Sequence, residues 1–420
     1  MIKRTAPRRA AQAACCPEYA GVSRRGLLSG GLAVGTTAVL GSAVVTAAPA
    51  SAAAAGAVMV VLSLRGAADG LSLVVPYNDP VIKNGSARPK IGIPAGRLLA
   101  TNGTFGLHPE LAPVLPLWNA GEMAAVHATG LPAPNRSHFA AMEEIEDANP
   151  GSTTREGWLN RLIGDLPGTS PLQGFAVGGG VVPTSLYGTH PVMSAGDVES
   201  VGFAGVDGDD GSRLRSLHTL WDRKGGPLGS AMSATFGSVR DFAPARDTSD
   251  GKSSYPNTDL GRALSEVARI IRGDVGVGVI TVDQGDWDMH SGLGTLDWGS
   301  MRNNARELAE ALAAFFDDLG NQRSKVTLVA FSEFGRRVQE NANYGLDHGY
   351  GNVMLLAGAG VKGGYYGTMP PLSAALDADV PVTTDYRSVL SEVVTTRLKA
   401  SRAAVFPGFS PEPVGVMTSL

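Results

Sequence analysis

VGVGVITV (275–282), MRNNARELAEALAAFFDDL (301–319) and KVTLVAF (325–331) read in order as strand, helix and strand. Both flanking runs are apolar throughout, as strands buried on two faces are. Between them Met301, Ala305, Leu308, Leu312, Phe315, Phe316 and Leu319 recur at helical intervals and build one apolar face. A strand, a crossover helix and a second buried strand predict an α/β fold, with a mostly parallel central sheet and helices on both faces.

Further strands are expected at 58–64, 123–127 and 353–357, and helices at 110–120, 137–147, 260–271 and 386–398. Ser137 is a good N-cap residue for the second of these helices. Residues 178–257 are the least regular. Polar, turn-rich stretches at 205–211 and 247–254 flank helical patterns at 214–221 and 229–242, which predicts an inserted cap region.

Ahead of this domain stands Ser23-Arg24-Arg25-Gly26-Leu27-Leu28, at the head of an apolar run from 26 to 47. Paired arginines before such a run form a twin-arginine export signal. The run is long enough for an anchor helix. However, it is Gly-rich and ends at Pro49, followed by the small-x-small site Ala50-Ser51-Ala52, so cleavage near Ala52 is expected and residues 1–52 are read as the signal peptide. Cys15 and Cys16 would leave with it. A disulfide-free protein of roughly 370 residues then relies on its core. Losing six cations and Glu18 moves the formal charge from -4 to -9, which argues against nucleic acid as a partner. No second apolar span follows, so the mature form is expected to be secreted or at the cell surface without a stable membrane span. The chain has 55 Gly and 26 Pro, yet 43% hydrophobic content excludes general disorder.

In an open parallel sheet the site lies beyond the carboxyl ends of the strands. Arg65, Gly66 and Asp69 follow the first strand, and Asp283, Asp286, Trp287, Asp288 and His290 follow the strand ending at Val282. Ser332, Glu333 and Arg336 follow Phe331, and Asp347-His348-Gly349 comes a short loop later. Carboxylates with imidazoles at strand ends suit a divalent metal. Ser137 is the other candidate, as either a plain helix cap or a hydroxyl placed where helix amides stabilise an oxyanion. His108 and His127 read as structural residues, and His190 and His218 carry no assigned role.

Leu64-Arg65-Gly66-Ala67-Ala68-Asp69-Gly70-Leu71, Asn135-Arg136-Ser137-His138-Phe139, Gly157-Trp158-Leu159, Gly285-Asp286-Trp287-Asp288-Met289-His290, Ser332-Glu333-Phe334-Gly335-Arg336 and Asp347-His348-Gly349 together resemble the DUF1501 family of exported proteins. That family is similar in turn to the alkaline phosphatase and sulfatase superfamily, which uses a Ser or Thr nucleophile at a helix start and usually two divalent metals. The resemblance implies Ser137 as nucleophile, Asp69 as the acidic residue after the first strand, Asp286 or Asp288 with His290 as one ligand pair, His348 as the late histidine of the same metal and Glu333 at a second-metal position; Asp347, beside His348, is a further candidate ligand. Phe334 stands where the superfamily usually has a histidine. The resemblance therefore leaves one divalent ion (zinc, manganese, calcium or magnesium), or none.

These readings lead to an exported, metal-dependent hydrolase of a phosphate or sulfate ester on a small molecule or polysaccharide, with Arg65 or Arg336 gripping the anion. The alternative is a non-catalytic cell-surface or polysaccharide-binding protein on the same fold, and Phe334 favours it. The export machinery reads paired guanidinium groups rather than charge alone. Replacing Arg24 and Arg25 together by Lys is therefore expected to leave precursor inside the cell. Fractionation and mass analysis check this, the parental secreted protein starting near Ala53.

Overall fold

The structure is a computed structural model that describes residues 37–40, 43–46, 55–178, 181–203 and 211–418. Arg24 and Arg25, both cysteines and Ala52 lie outside the described residues. The strands, in chain order, are β1 (Thr37–Leu40), β2 (Ala43–Thr46), β3 (Val58–Leu64), β4 (Val74–Val75), β5 (Gly106–Leu107), β6 (Met123–Gly130), β7 (Gly174–Val177), β8 (Met193–Ala195), β9 (Val279–Gln284), β10 (Val326–Phe331), β11 (Asn352–Gly358), β12 (Gly364–Tyr366) and β13 (Thr384–Asp385). The central sheet runs β1-β2-β8-β7-β9-β3-β10-β11-β6-β12, with β13 also on β6.

Its middle is parallel, from β8 through β7, β9 and β3 to β10. Alternation along β3 divides the core. Val58, Val60, Leu62 and Leu64 face the helices Asp259–Arg272 and Ser300–Asp318, while Met59 and Val61 face His138–Asp147, Trp158–Asp165 and Tyr386–Arg397. The expected helix at 301–319 is Ser300–Asp318. It buries Leu308, Leu312, Phe315 and Phe316, each contributing about 1.5–3 kcal/mol. The fold is therefore α/β with helices on both faces.

At one edge β2 is antiparallel to β8, and from β8 to β12 one strand runs against the rest. β11 is antiparallel to both β10 and β6. An apolar run carries no direction, so the sequence did not reveal this. The consequence is positional: residues just before β11 sit at the same edge as residues just after β3, β9 and β10.

The stretch 178–257 supplies β8 to the central sheet and also the helices Ser212–Trp221, Gly226–Asp241 and Ala243–Asp247. Within the apolar run that precedes the domain, β1 and β2 pair with each other, and β2 pairs with β8. A cut near Ala52 would remove this hairpin and leave β8 at the sheet's edge. Among the described residues no helix is long and apolar enough to cross a membrane.

His108 and His127, read as structural, are both buried. His108 Nδ1 accepts the Glu110 N–H at 3.1 Å, and His127 stacks on Phe105 with ring centroids 4.5 Å apart. Burial pushes each imidazole down from 6.5 to about 4. In the unfolded chain each takes up its proton below about 6.5, whereas in the folded chain it does so only below about 4. Between these values the unfolded state binds more protons, so stability present above 6.5 is lost as the pH falls toward 4. Urea unfolding across that window is expected to show the decline, and His127→Phe should make its slope shallower.

Candidate metal centre

Three loops, one of them contributing both its ends, and one helix start meet at the carboxyl edge of the parallel strands. The loop after β3 closely approaches the loop after β9. Gly66 has φ +110°, and a Cβ there would lie 2.5 Å from the Asp288 backbone nitrogen, so a side chain would displace the loop after β9. The loop after β10 is laced to the loop before β11: Gly335 N–H donates to Tyr350 O at 2.8 Å, Gly349 N–H to Gly335 O at 2.8 Å and Arg337 N–H to Asp347 O at 3.0 Å. Across these segments lies Arg336, 1% exposed. Its Nε donates to Ala67 O at 2.7 Å, Nη1 to Leu346 O at 3.1 Å, and Nη2 to Gly66 O at 2.6 Å and Asp288 Oδ1 at 2.7 Å.

At the centre, imidazole nitrogens converge. His348 Nε2 lies 2.9 Å from His138 Nε2 and 2.9 Å from His290 Nε2. Asp288 Oδ1 is 3.2 Å from His290 Nε2 and 3.8 Å from the Nε2 atoms of His138 and His348. His138, Asp288 and His348 each offer one ligand atom within 4.8 Å of the others. The side chain of His138 is 5% exposed, against 17–23% for the other three residues, so the cluster opens to solvent on the side away from His138.

The opposite ring nitrogens fix the tautomers. His138 Nδ1 lies 2.7 Å from Glu333 Oε1 in a buried pair, and His348 Nδ1 lies 2.8 Å from the carbonyl of Arg136. A carboxylate and a carbonyl only accept, so both Nδ1 atoms carry the hydrogen, and in the neutral ring Nε2 is the atom that presents the lone pair. Two lone pairs facing each other at 2.9 Å repel unless a cation or a shared proton lies between them. The Nε2 atoms of His138 and His348 beside the Asp288 carboxylate form a donor set that fits a divalent ion, with outer partners of the kind that orient metal-bound histidines, and His290 Nε2 adjoins it next to His348 and Asp288.

Those partners are held in turn. Glu333 also receives the Gly66 N–H at 2.9 Å and lies 2.7 Å from Ser332 Oγ. Burial opposes its charge, but hydrogen bonds from His138, its own backbone N–H and Ser332 outweigh this and hold the carboxyl below the ordinary carboxylate range. His290 Nδ1 is 3.4 Å from Asp347 Oδ1, and burial followed by the nearby Arg336 charge lowers the His290 pKa. Phe334 fills the space behind, its ring 4.9 Å from His138 and 5.0 Å from His348.

The structure thus brings together Asp288, His290 and His348 of the expected ligands and places the rest differently. Asp69 is committed to Arg88, which donates Nη1 to Oδ2 at 2.5 Å and Nη2 to Oδ1 at 3.0 Å in a buried pair. Asp286 is exposed, with φ 65°, and its carbonyl accepts from Asn304 at 3.0 Å. Glu333 and Asp347 stand behind His138 and His290 as hydrogen-bond partners. Both arginines expected to grip an anion are paired internally: Arg336 with carbonyls and Asp288, and Arg65 with Glu146 at 2.8 Å and Asp283 at 3.1 Å. Burial opposes the Arg65 charge, but these two carboxylates raise its pKa further.

His138 was missed by the sequence reading. It shares with Ala141 and Ile145 the buried face of the helix His138–Asp147, and a histidine at the head of an apolar helical face is the signal that could have found it. Ser137 is the N-cap residue, but its side chain makes no capping hydrogen bond. It stands between Arg136, whose carbonyl meets His348, and His138 itself. A cavity of about 1060 Å³, lined by residues that include Phe203, His218 and Phe236, lies in the 178–257 region and shares no residue with the cluster.

A model of the DUF1501 family, described as a protein of unknown function, matches residues 57–394. No curated protein matches the chain. Among solved structures, the lipoteichoic acid synthase LtaP from Listeria monocytogenes is similar at 11% identity and TM-score 0.29, over 76% of this chain and 67% of that one. The crystal structure of Ps i-CgsB is similar at 9% identity and TM-score 0.34, over 82% of this chain and 72% of that one.

Proposed function

We propose that this chain, which belongs to the DUF1501 family, is an exported hydrolase of phosphate or sulfate esters that works with one divalent ion held by His138, Asp288, His290 and His348. The observation that carries this reading is the meeting of the His138 and His348 Nε2 atoms with the Asp288 carboxylate, His290 Nε2 lying next to the last two, and with the second nitrogens of His138 and His348 held by hydrogen-bond acceptors. Such a donor set suits zinc better than calcium or magnesium, which prefer oxygen shells. An ion bound there supplies Lewis-acid stabilisation of the oxygens that carry negative charge. The reaction class follows the family's resemblance to alkaline phosphatases and sulfatases.

The chain's own residues divide the remaining work. Ser137 attacks phosphorus or sulfur through Oγ, its proton passing to water. The bond to the ester oxygen breaks, and the alcohol leaves after taking a proton from water. A second water hydrolyses the seryl ester, which releases inorganic phosphate or sulfate and restores the hydroxyl. The positive end of the helix dipole at the start of His138–Asp147 favours the anion during transfer. Glu333 keeps His138 in the tautomer that presents Nε2, and Arg336 orients Asp288.

A second reading, a non-catalytic cell-surface or polysaccharide-binding protein, is favoured by one observation. Both arginines expected to hold the anion are tied up internally. Elemental analysis together with a panel of aryl phosphate and sulfate esters decides between the two.

About one ion per chain is expected. Chelation should lower the melting temperature, because a ligand bound only to the native state stabilises it. His290→Ala should abolish that effect, and Glu333→Gln should weaken metal affinity by about 10–100-fold in a chelator competition. No metal and an unchanged melting temperature after exhaustive chelation would leave the binding-protein reading.

Ser137 is tested separately. Because its hydroxyl caps nothing, Ser137→Ala is expected to remain folded and metal-bound while losing ester hydrolysis by several orders of magnitude. Ser137→Asp should behave the same way, since a carboxylate suits a helix start but repels an anionic substrate. Hydrolysis near the parental rate in either variant would show that Ser137 is not the nucleophile.

A further inference from the structure

The loops that carry His290 and His348 continue away from the cluster as a laced pair. Leu346 N–H donates to Met289 O at 3.0 Å, Gly292 N–H to Asn343 O at 3.0 Å and Gly294 N–H to Tyr344 O at 3.1 Å. Asn341 ties the pair to the centre, donating Nδ2 to His290 O at 2.8 Å and to Asp347 Oδ1 at 3.2 Å. At the far end stand two large aromatic residues left in solvent, Trp298 at 48% and Tyr344 at 37% exposure, with ring centroids 5.4 Å apart and planes 60° to each other. Tyr344 lies four residues before His348 and Gly294 four residues after His290. Main-chain reach therefore keeps the backbone of Tyr344 within ~14 Å of that of His348, and Gly294 within the same reach of His290.

This pair is held firmly. Tyr344 has φ 54°, a conformation an aromatic residue rarely adopts, and Asn341 Oδ1 fixes it by accepting from Asn343 N–H at 2.9 Å and Gly345 N–H at 3.1 Å. Thr295 N–H donates to Trp298 O at 2.8 Å in a turn so close that a Cβ on Gly294 would meet that oxygen at 2.1 Å. Lys90 Nζ covers the Tyr344 ring at 5.0 Å, so an incoming group uses the other face. Exposed aromatic rings held rigid by their own backbone lose little entropy when a ligand stacks on them. Rings inclined at 60° do not both lie flat on one planar aryl group, but each can take one puckered ring of a twisting chain.

We propose that Trp298 and Tyr344 form a stacking subsite for the sugar rings of an oligosaccharide, so that the ester presented to the imidazole centre is borne on a glycan. Glycan binding stands by itself, whereas its role as the ester's carrier rests on the hydrolase reading above.

The test is tryptophan fluorescence of the purified protein titrated with cello-oligosaccharides and their sulfated form, before and after exhaustive chelation. A saturable spectral change is expected with both sugars, with affinity weakened about tenfold or more in Trp298→Ala and in Tyr344→Ala and restored in Trp298→Phe. The neutral sugar should bind equally well after chelation. That result would uphold the subsite even if the metal and hydrolase reading failed. No response to either sugar, or a Trp298→Ala protein that binds as the parent does, would overturn the proposal. So would a response that vanishes on chelation while Trp298→Ala leaves it intact, because binding would then belong to the imidazole centre. Absence of a glycan response together with self-association lost in Trp298→Ala would assign the aromatic pair to protein contact instead.

Discussion

The guanidinium of Arg336, almost wholly buried, holds the candidate centre together. An unpaired charge at that depth would be strongly destabilising, so its donors must be met, and they are met by backbone carbonyls from two loops and by the Asp288 carboxylate. Because the fork is planar and rigid, these acceptors are fixed relative to one another, which a flexible ammonium would not achieve. Gly66 can approach Asp288 so closely only because it lacks a side chain, and its N–H then reaches Glu333. From that frame Glu333 positions His138, and the loop before β11 positions His348.

The frame explains the electrostatic arrangement at the cluster. Glu333 is wholly enclosed yet held below the ordinary carboxylate range by the hydrogen bonds it accepts. It can therefore fix one imidazole tautomer and leave Nε2 as an acceptor, while the Arg136 carbonyl does the same for His348. Lone pairs gathered at 2.9 Å are costly in a neutral protein and favourable around a cation. Phe334 serves as an apolar wall to two of these rings.

The same loops that carry His290 and His348 extend to the exposed aromatic pair, so the candidate centre and the proposed sugar subsite share one scaffold. Asn341 belongs to both, bonding the His290 carbonyl on one side and shaping the Tyr344 turn on the other. A chain of sugar rings stacked there would reach toward the imidazoles along a surface that already opens to solvent.

Much of the architecture was legible from pattern alone. Val58–Leu64, Ser300–Asp318 and Val326–Phe331 declared their type through unbroken apolar runs and helical spacing, because burial imposes those periods on any sequence. The sequence also placed Asp288, His290 and His348 at one edge. It could not tell ligands from their supports, since a carboxylate behind an imidazole and one beside a metal look alike in a string of residues. Glu333 and Asp347 therefore read as ligands, Asp69 was not seen to belong to Arg88, and His138 was hidden behind Ser137. Strand direction was equally silent. Only packing reversed β11, which carried His348 to the carboxyl edge, and only three-dimensional closure spent Arg65 and Arg336 on neighbours. Periodicity along a chain records which side of an element is buried, whereas the partners of a polar group are set by segments far away in sequence.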